Sequence, residues 1–385
     1  MFADRTTWNL TPNRLSEALA GLRAAGTQLF DLTASNPTQC GFHYNEEEIL
    51  SALKNPEALR YEPDPKGLPS ARAAVARYYA GLGAKVSADD LILTTSTSEA
   101  YSFIFRLLCN PGEELLIPAP SYPLFSFLAD VLDVKLVHYP LVYDHGWQID
   151  LHALEKAISG RTRGVIVVNP NNPTGNFVGD SERSSLAEIC IRRDLALIAD
   201  EVFLDFQLDA ESATLASNAE ALTFVTSGLS KIAGLPQMKT AWLLVTGKGV
   251  LKSQALQKLE VISDTFLSPN APVQLATPRF LNDRQNFQRQ VLTRVRANLQ
   301  ELDRQLAKQK NCERLQVAGG WYVTLRIPVT KPDEEFALEL LSKQSVYVHP
   351  GHFFDFPGDR YLVLSMITPE QEFAEGVRRI LELAS

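Results

Sequence analysis

The sequence predicts an α/β fold, in which helices sandwich a mostly parallel seven-stranded sheet and a smaller α+β domain is attached. Seven short apolar runs alternate with helical patterns in the middle of the chain, and the pattern changes after about residue 270. Strands that are apolar on both faces are typical of a parallel sheet covered by helices. A length of 385 residues exceeds what one compact core usually holds, which indicates two domains.

Each candidate strand of the large sheet is a short apolar run, and most of the runs end in Gly, Pro, Asn or Asp, which favour turns. The runs are 91–94, 114–117, 135–139, 164–168, 195–199, 223–225 and 240–245. Open sheets of this kind bind ligands beyond the carboxyl ends of their strands. We therefore expect a functional site among the residues that follow these runs.

The C-terminal part of the sequence has a different pattern. A long charged segment carries apolar residues three and four positions apart, which predicts a helix that links two domains. This helix, two β-type runs and a final helix are predicted at 284–310, 321–326, 361–365 and 370–383. The predicted domains are a large α/β domain of residues 46–275 and a small α+β domain formed by residues 1–45 and 276–385.

The composition is that of a soluble globular protein, with 45% hydrophobic residues and a net charge of −8. It contains no basic stripe that would neutralise phosphates, so no nucleic-acid partner is expected. No apolar run approaches transmembrane length and the first residues lack a secretory pattern, so no membrane association is expected. No metal is predicted and the expected location is the cytoplasm, because no metal-ligand or redox spacing relates the cysteines, which are Cys40, Cys109, Cys190 and Cys312.

Three segments that follow apolar runs carry the residues most suggestive of chemistry. Lys231 ends a loop of small residues after the run 221–225, where a lysine is well placed to form a Schiff base. Asp200 directly follows the run 195–199, and Asn172 lies in the segment Asn-Pro-Asn-Asn-Pro-Thr-Gly. A lysine, an acid for the pyridine nitrogen and an amide for the ring oxygen are what pyridoxal phosphate requires of a protein.

Each of these three residues also has an ordinary structural interpretation. A lysine is usually solvated, an aspartate at a strand end often caps a turn, and Asn-Pro-Thr-Gly favours a turn by itself. For Asn172 the two interpretations are compatible, because a turn at a strand end is where such a ligand belongs. The co-occurrence of all three motifs favours the cofactor site.

Together the motifs resemble those of class I/II aminotransferases, which belong to fold type I, the aspartate aminotransferase superfamily of pyridoxal-phosphate-dependent enzymes. The resemblance runs from Tyr61 to the C-terminus. It implies transfer of an amino group from an amino acid or related amine, with the Schiff base on Lys231, which also shuttles a proton. It further implies that Asp200 pairs with the pyridine nitrogen and that Asn172 donates to the ring oxygen.

The resemblance assigns further cofactor contacts. Thr95, Ser96 and Thr97 stand where the family binds the phosphate, and a helix N-terminus of small hydroxyl residues suits that role. Tyr122 matches the aromatic residue that stacks on the pyridine ring. Tyr61 matches a tyrosine that reaches the phosphate of the neighbouring subunit, which implies a homodimer with shared active sites.

Three positions depart from the family pattern around the cofactor. Phe203 stands where a tyrosine hydroxyl usually contacts the ring oxygen, and Gly228 stands where a phosphate-binding serine is common. Ser227 or Ser230 would compensate for the missing serine. Lys239 replaces an arginine that binds the phosphate, which keeps the positive charge but loses the bidentate fork.

A fourth departure concerns the substrate. Val363 occupies the position of the arginine that clamps the α-carboxylate of the substrate in this family. Arg360, Arg326 or main-chain N–H groups are the alternative donors, and common α-amino acids are expected to be poor substrates. The valine also raises the alternative that the chain is a lyase, decarboxylase, racemase or synthase on the same scaffold.

Overall fold

The computed structural model describes residues 1–208, 213–328 and 331–385. Within these ranges the strands are β1 (Phe30–Asp31), β2 (Leu91–Thr94), β3 (Glu114–Ala119), β4 (Lys135–Tyr143), β5 (Trp147–Ile149), β6 (Thr162–Val168), β7 (Ala196–Asp200), β8 (Thr223–Gly228), β9 (Ala241–Thr246), β10 (Glu313–Arg314), β11 (Tyr322–Arg326), β12 (Val346–Tyr347), β13 (His349–Pro350) and β14 (Tyr361–Ser365). The α-helices are α1 (Arg14–Ala24), α2 (Glu46–Ala52), α3 (Pro69–Gly81), α4 (Thr97–Leu108), α5 (Leu124–Asp130), α6 (Leu151–Ala157), α7 (Asp180–Arg193), α8 (Leu229–Ile232), α9 (Gly249–Phe266), α10 (Ala271–Leu306), α11 (Asp333–Gln344) and α12 (Glu370–Leu383).

The large sheet has the strand order β2-β9-β8-β7-β6-β3-β4-β5. The pairs from β8 through β4 are parallel, while β9 is antiparallel to both of its neighbours. The predicted fold class is confirmed, and all seven predicted runs are strands of this sheet. The described sheet has one strand more than predicted, because the short β5 folds back against the end of β4 as a hairpin.

Alternate residues of the central strands pack into different cores on the two faces of the sheet. Val165 and Val167 of β6 contact the core that includes α3, α7 and the start of α10. Ile166 and Val168 point to the other face and contact the core that includes α4, α5 and α9. Both faces of the strand are thus buried, which explains the continuous apolar runs in the sequence.

A third core contains the four-stranded sheet β10-β11-β14-β13 and the helices α1, α11 and α12. Helix α10 joins the cores, because Val273 to Leu281 pack against the large sheet and Phe287 to Leu302 pack in the third core. The predicted helix at 284–310 therefore begins earlier, at Ala271, and ends at Leu306. Pro278 lies inside this helix and interrupts the local helix signal.

The prediction for α12 is confirmed at both ends, Glu370 and Leu383. The division into domains at residues 45/46 and 275/276 stays a prediction. None of the helices in the described ranges is both long and apolar enough to cross a membrane.

Gly175 closes the turn that contains Asn172, and it generates a prediction about stability. Its φ is +72°, and an added Cβ would lie 2.4 Å from Val317 and 2.7 Å from the carbonyl oxygen of Gly319. We expect Gly175→Ala to lower the free energy of unfolding by about 1–3 kcal/mol more than the control Gly112→Ala, because overpacking adds to backbone strain. Gly112 has a φ of +82° but open space around its Cβ position. Equal denaturation midpoints for the two variants would contradict the prediction.

Candidate active site

Lys231 and Asp200 lie at the carboxyl ends of adjacent parallel strands. Asp200 ends β7 and is paired in register with Thr226 of β8, which leads into the short helix α8 that carries Lys231. The Nζ atom of Lys231 donates a hydrogen bond to the backbone oxygen of Ser35 at 3.3 Å. It also lies 4.8 Å from the centre of the Trp321 ring. The parallel pairing of β7 and β8 therefore brings the amine and the carboxylate close enough for their charges to interact.

The ionisation of Lys231 is shifted by its surroundings. Burial lowers the pKa of its amine to about 8, and the negative charge of Asp200 partly opposes this shift. A lowered pKa matters because only an uncharged amine is a nucleophile or accepts a proton. The uncharged fraction of Lys231 near neutral pH is therefore far larger than that of an ordinary lysine, whose pKa is 10.5.

The Asp200 side chain is 8% exposed and has one protein donor on each carboxylate oxygen. The Tyr101 hydroxyl donates to Oδ2 at 3.0 Å, and the Val202 N–H donates to Oδ1 at 3.1 Å. Burial raises the pKa of Asp200 to about 6, while these two hydrogen bonds and the Lys231 charge favour the ionised form. Each carboxylate oxygen retains acceptor capacity for another N–H group.

The turn after β6 holds Asn172 in a buried position. The neighbouring Asn171 donates to the Pro120 carbonyl oxygen at 3.1 Å and to Thr174 Oγ1 at 2.7 Å. Asn172 itself is 8% exposed, and its Oδ1 is buried without a hydrogen-bond partner in the described part of the chain. A buried amide with an unsatisfied atom is costly unless a ligand completes it.

The N-terminus of α4 presents unpaired backbone donors. Ser96 is the N-cap residue, and its Oγ accepts from the Glu99 N–H at 3.1 Å. The N–H groups of Ser96 and Thr97 have no acceptor among the described residues. Thr95 differs, because both its N–H and its hydroxyl donate to the Glu99 carboxylate. Of the three residues predicted to bind phosphate, Ser96 and Thr97 are thus the ones with free N–H groups.

Tyr122 precedes α5 and faces the same pocket. Its ring is 43% exposed, and burial, together with the negative charge of Asp200, raises the pKa of its hydroxyl. Tyr322 of β11 is close enough to both Tyr122 and Cys40 for their charges to add to the burial that raises its pKa to about 12. Tyr122 is therefore close enough to Asp200 to be affected by its charge, and its stacking on the cofactor ring stays a prediction.

Two of the three departures near the cofactor, Phe203 and Gly228, lie in closely packed surroundings. Phe203 packs edge to face against Trp321 at 4.9 Å and lies 5.6 Å from the Lys231 amine. Gly228 is extended, with a φ of −179°, but an added Cβ would lie 2.8 Å from the Cβ of Ala241 on β9. Space rather than backbone angle therefore excludes a serine at this position.

The serines and the lysine predicted to support the phosphate lie in different environments. Ser227 is buried and donates to the Glu201 carbonyl oxygen at 3.3 Å, whereas Ser230 is half-buried. Lys239 is exposed, has a φ of +49° and makes no ion pair with any residue in the described ranges. Ser230 and Lys239 thus remain available to a ligand, while the Ser227 hydroxyl is already occupied.

Val363 and the two candidate arginines, Arg326 and Arg360, lie in different surroundings. Val363 is 1% exposed and packs in the same core as Phe354 and Tyr361. Arg360 is exposed, and the guanidinium of Arg326 donates to Glu313 at 2.9 Å. Arg360 is thus solvent-facing, whereas Arg326 is ion-paired through one guanidinium nitrogen and has a buried Nε without a partner among the described residues.

Tyr61 lies outside the pocket of its own protomer. Its side chain is 80% exposed, and its hydroxyl forms no hydrogen bond with the residues that the structure describes. It borders a surface cleft of about 280 Å³ whose lining includes Arg60 and the segment 267–271. The structure therefore does not bring Tyr61 together with Lys231 within one chain.

Three pocket residues were missed by the sequence analysis, namely Ser35, Tyr101 and Trp321. Only Tyr101 had a usable signal, because it lies about one turn into the helix that Ser96 caps, which starts at a strand end. Ser35 and Trp321 come from distant segments of the chain, and no local pattern relates them to Lys231. Their positions follow only from packing of the third core against the large sheet.

The donor set fits pyridoxal phosphate. It provides an amine of lowered pKa, a buried carboxylate with spare acceptor capacity, the buried amide side chain of Asn172 and free N–H groups at a helix N-terminus. Fold and site thus define an enzyme of the pyridoxal-phosphate-dependent class.

Comparisons with known proteins give the family. The model for aminotransferase class I and II matches residues 28–380. The alanine aminotransferase of Mycobacterium tuberculosis is 29% identical over 375 residues, covering 94% of this chain and 86% of that protein. The glutamate-pyruvate aminotransferase AlaA of Escherichia coli is 30% identical over 269 residues, covering 69% of this chain and 66% of that protein. The chain therefore belongs to the class I and II aminotransferases, and pyridoxal phosphate is its cofactor.

The solved structures agree on the fold. An alanine aminotransferase from Pyrococcus furiosus matches with a TM-score of 0.91 and 23% identity, covering 99% of both chains. An aspartate aminotransferase from Thermus thermophilus matches with a TM-score of 0.87 and 22% identity, covering 100% of this chain and 99% of that one.

The pKa of Lys231 generates a prediction about reactivity. Because burial lowers this pKa from 10.5 to about 8, trace acetylation of Lys231 in cofactor-free protein is expected to reach half its maximum near pH 8 and to fall below that pH. Asp200→Asn removes a charge that raises the pKa, so it should move the midpoint lower still. The measurement is mass spectrometry of the peptide that contains Lys231. A midpoint near 10.5 in the folded protein, as in denatured protein, would contradict the prediction.

Proposed function

We propose that the protein transfers amino groups from an amino acid, with Lys231 as the residue that holds the cofactor. The observation that carries this proposal is the juxtaposition of the Lys231 amine and the buried Asp200 carboxylate at the ends of α8 and β7. When bound, pyridoxal phosphate supplies an electron sink for the bonds at the substrate Cα.

The residues of the chain would divide the remaining tasks. The Lys231 amine would hold the cofactor covalently and, once released, take and return a proton at the substrate Cα. Asp200 would keep the ring nitrogen protonated, and Asn172 would donate to the ring oxygen. Tyr122 would cover the ring, and Phe203 would pack beside it against Trp321.

The phosphate would be held at the edge of the pocket. The free N–H groups of Ser96 and Thr97 support this role, and the dipole of α4 favours an anion there. Ser230 and Lys239 would add a hydroxyl and a positive charge. Thr95 would act mainly through Glu99, which it anchors at the start of the helix.

The relatives direct the choice of reaction and substrate. They are named for transamination of alanine, and of glutamate with pyruvate, so the lyase alternative is not favoured. We therefore propose an amino-acid donor. Its α-carboxylate would be bound without an arginine at position 363, since Val363 is buried in an apolar core.

A single-turnover experiment tests this function. Cofactor-loaded protein mixed with L-alanine or L-glutamate, without an acceptor, is expected to convert the cofactor to its amine form and release the keto acid. Because no arginine occupies position 363, the rate of cofactor conversion with L-alaninamide should be within about tenfold of the rate with L-alanine. An arginine that clamps the carboxylate would make the rate with L-alanine about one to two decades higher. Stopped-flow absorbance and keto-acid analysis give both quantities.

The controls separate the residues involved. Lys231→Ala should abolish conversion, and Arg326→Ala and Arg360→Ala should leave the alanine-to-alaninamide ratio unchanged. Release of ammonia or carbon dioxide in place of the amine form would show a lyase or decarboxylase. If the rate with L-alanine exceeds the rate with L-alaninamide by more than about a hundredfold, and if this ratio falls in one of the arginine variants, that arginine clamps the carboxylate.

We also propose a homodimer whose active sites are shared. Tyr61 and Leu267 are 80% and 61% exposed and border the same cleft, and Leu59 is 91% exposed nearby in sequence. Exposed apolar side chains of this size support a protein–protein contact. In such a dimer Tyr61 would reach the phosphate of the partner's site.

Subunit mixing tests the shared site. Lys231→Ala and Tyr61→Ala chains are each expected to be weakly active or inactive alone, and their mixture should recover activity, because one site in the mixed dimer retains both residues. Light scattering would establish the dimer, and differently tagged chains would isolate the mixed species. No recovery in a demonstrated mixed dimer would contradict sharing through Tyr61.

The location of the protein and its division into domains also belong to the proposal. A cytoplasmic location is supported by the four cysteines, none of which forms a disulfide within the described residues. A division into domains of residues 46–275 and of 1–45 with 276–385 is supported by the separate third core.

A further inference from the structure

The side chain of Tyr101 is buried against the carboxylate that is proposed to face the cofactor ring. Its side chain is 2% exposed, and its hydroxyl donates to Asp200 Oδ2 at 3.0 Å. The ring is held edge to face by Phe125 at 5.0 Å and by Phe105 at 5.9 Å. Tyr101 lies on α4, the helix whose N-terminus is proposed to hold the phosphate. One rigid helix thus connects the two ends of the cofactor site.

The groups that face Asp200 come from several elements. Lys231 is the positive one, while Glu201, Tyr79 and Tyr122 interact with it through charge. The only side-chain hydrogen bond to Asp200 in the described part of the chain comes from Tyr101. The Tyr101 hydroxyl is therefore fixed against Asp200, at the end of β7.

We propose that Tyr101 is a positioning residue that holds Asp200 as an ionised carboxylate and thereby keeps the proton on the cofactor ring nitrogen. This inference rests on the proposed role of Asp200. It concerns a residue that touches neither the substrate nor the cofactor, and that acts through the carboxylate.

The physical reason lies in the competition for one proton. In a buried pair of a carboxylate and a pyridine nitrogen, the proton lies on whichever group is the stronger base there. Burial strengthens the carboxylate as a base, which would draw the proton to Asp200. A hydrogen bond donated to the carboxylate stabilises its charge and weakens it as a base. Tyr101 therefore shifts the proton toward the ring nitrogen, where it makes the ring a better electron sink.

The test compares Tyr101→Phe with Tyr139→Phe. Tyr139 is also buried, and its hydroxyl donates to the Ile166 carbonyl oxygen at 2.7 Å, away from Asp200. Cofactor-free protein is titrated with pyridoxal phosphate and with its 1-deaza analogue, in which carbon replaces the ring nitrogen. We expect Tyr101→Phe to weaken pyridoxal phosphate binding by up to about tenfold, because the Tyr101–Asp200 hydrogen bond is present with and without the cofactor and only its strengthening on binding is lost. Binding of the deaza analogue should be unchanged, and Tyr139→Phe should affect neither ligand.

A spectroscopic readout reports the proton directly. With ¹⁵N-labelled pyridoxal phosphate, the ring-nitrogen signal of the wild-type protein is expected at the protonated position. In Tyr101→Phe it should move toward the neutral position. Equal weakening of both ligands, or an unmoved nitrogen signal, would overturn the proposal and leave Tyr101 a packing residue.

Two further chains keep the outcomes distinct. With 4-aminophenylalanine at position 101, an amino group that is a weaker donor replaces the hydroxyl. The affinity for pyridoxal phosphate and the ring-nitrogen signal are then expected between those of the wild type and of Tyr101→Phe. This chain tests the proposal even if Tyr101→Phe does not fold. In Asp200→Asn the ring-nitrogen signal should lie at the position of an unprotonated nitrogen. If Asp200→Asn leaves that signal protonated and cofactor affinity unchanged, the role of Asp200 itself fails. If Asp200→Asn acts as expected and the 4-aminophenylalanine chain equals wild type, only the role of Tyr101 fails.

Discussion

The carboxylate of Asp200 is buried at the end of a central parallel strand, and its charge has to be balanced from within the protein. Two hydrogen bonds, from Tyr101 and from the Val202 N–H, favour the ionised form against the cost of burial. The Lys231 amine contributes its charge from the next strand end. The same burial acts on both groups with opposite sign, so it raises the pKa of the acid and lowers that of the amine. Both pKa values therefore move toward neutrality, where proton transfer is most effective.

The sheet topology places these groups together. Parallel strands β6, β7 and β8 all end at the same edge, so the Asn172 turn, Asp200 and the Lys231 helix follow three adjacent strands. Close packing at this edge leaves little freedom. Gly228 lies against Ala241, and Gly175 lies against Val317 and Gly319, at distances where no side chain fits. The small residues of the motifs are thus required by contact between neighbouring segments.

The departures from the family pattern concern specificity and tuning more than the central chemistry. The lysine, the carboxylate and the amide all follow the ends of adjacent parallel strands. Phe203 retains the aromatic packing of its position, since it contacts Trp321, but it has no hydroxyl to offer. Val363 is buried in an apolar core, so if it stands at the position of the carboxylate clamp, other groups have to bind the substrate carboxylate. Membership of the family therefore establishes transamination, while substrate recognition depends on features particular to this chain.

Much of the architecture was predictable from the sequence because it is encoded locally. Apolar runs indicated the seven strands, apolar residues three and four positions apart indicated the C-terminal part of α10, and the motifs around Asn172, Asp200 and Lys231 indicated the cofactor. The first turns of α10 were missed because Pro278 masks a helix that tertiary packing stabilises. Tertiary structure alone decided which residues complete the site. Ser35, Tyr101 and Trp321 meet Lys231 or Asp200 only after distant segments pack, and the ionisation of both groups depends on that burial. Sequence determined the reacting groups through local patterns, whereas their pKa values and partners depend on long-range contacts that no local pattern contains.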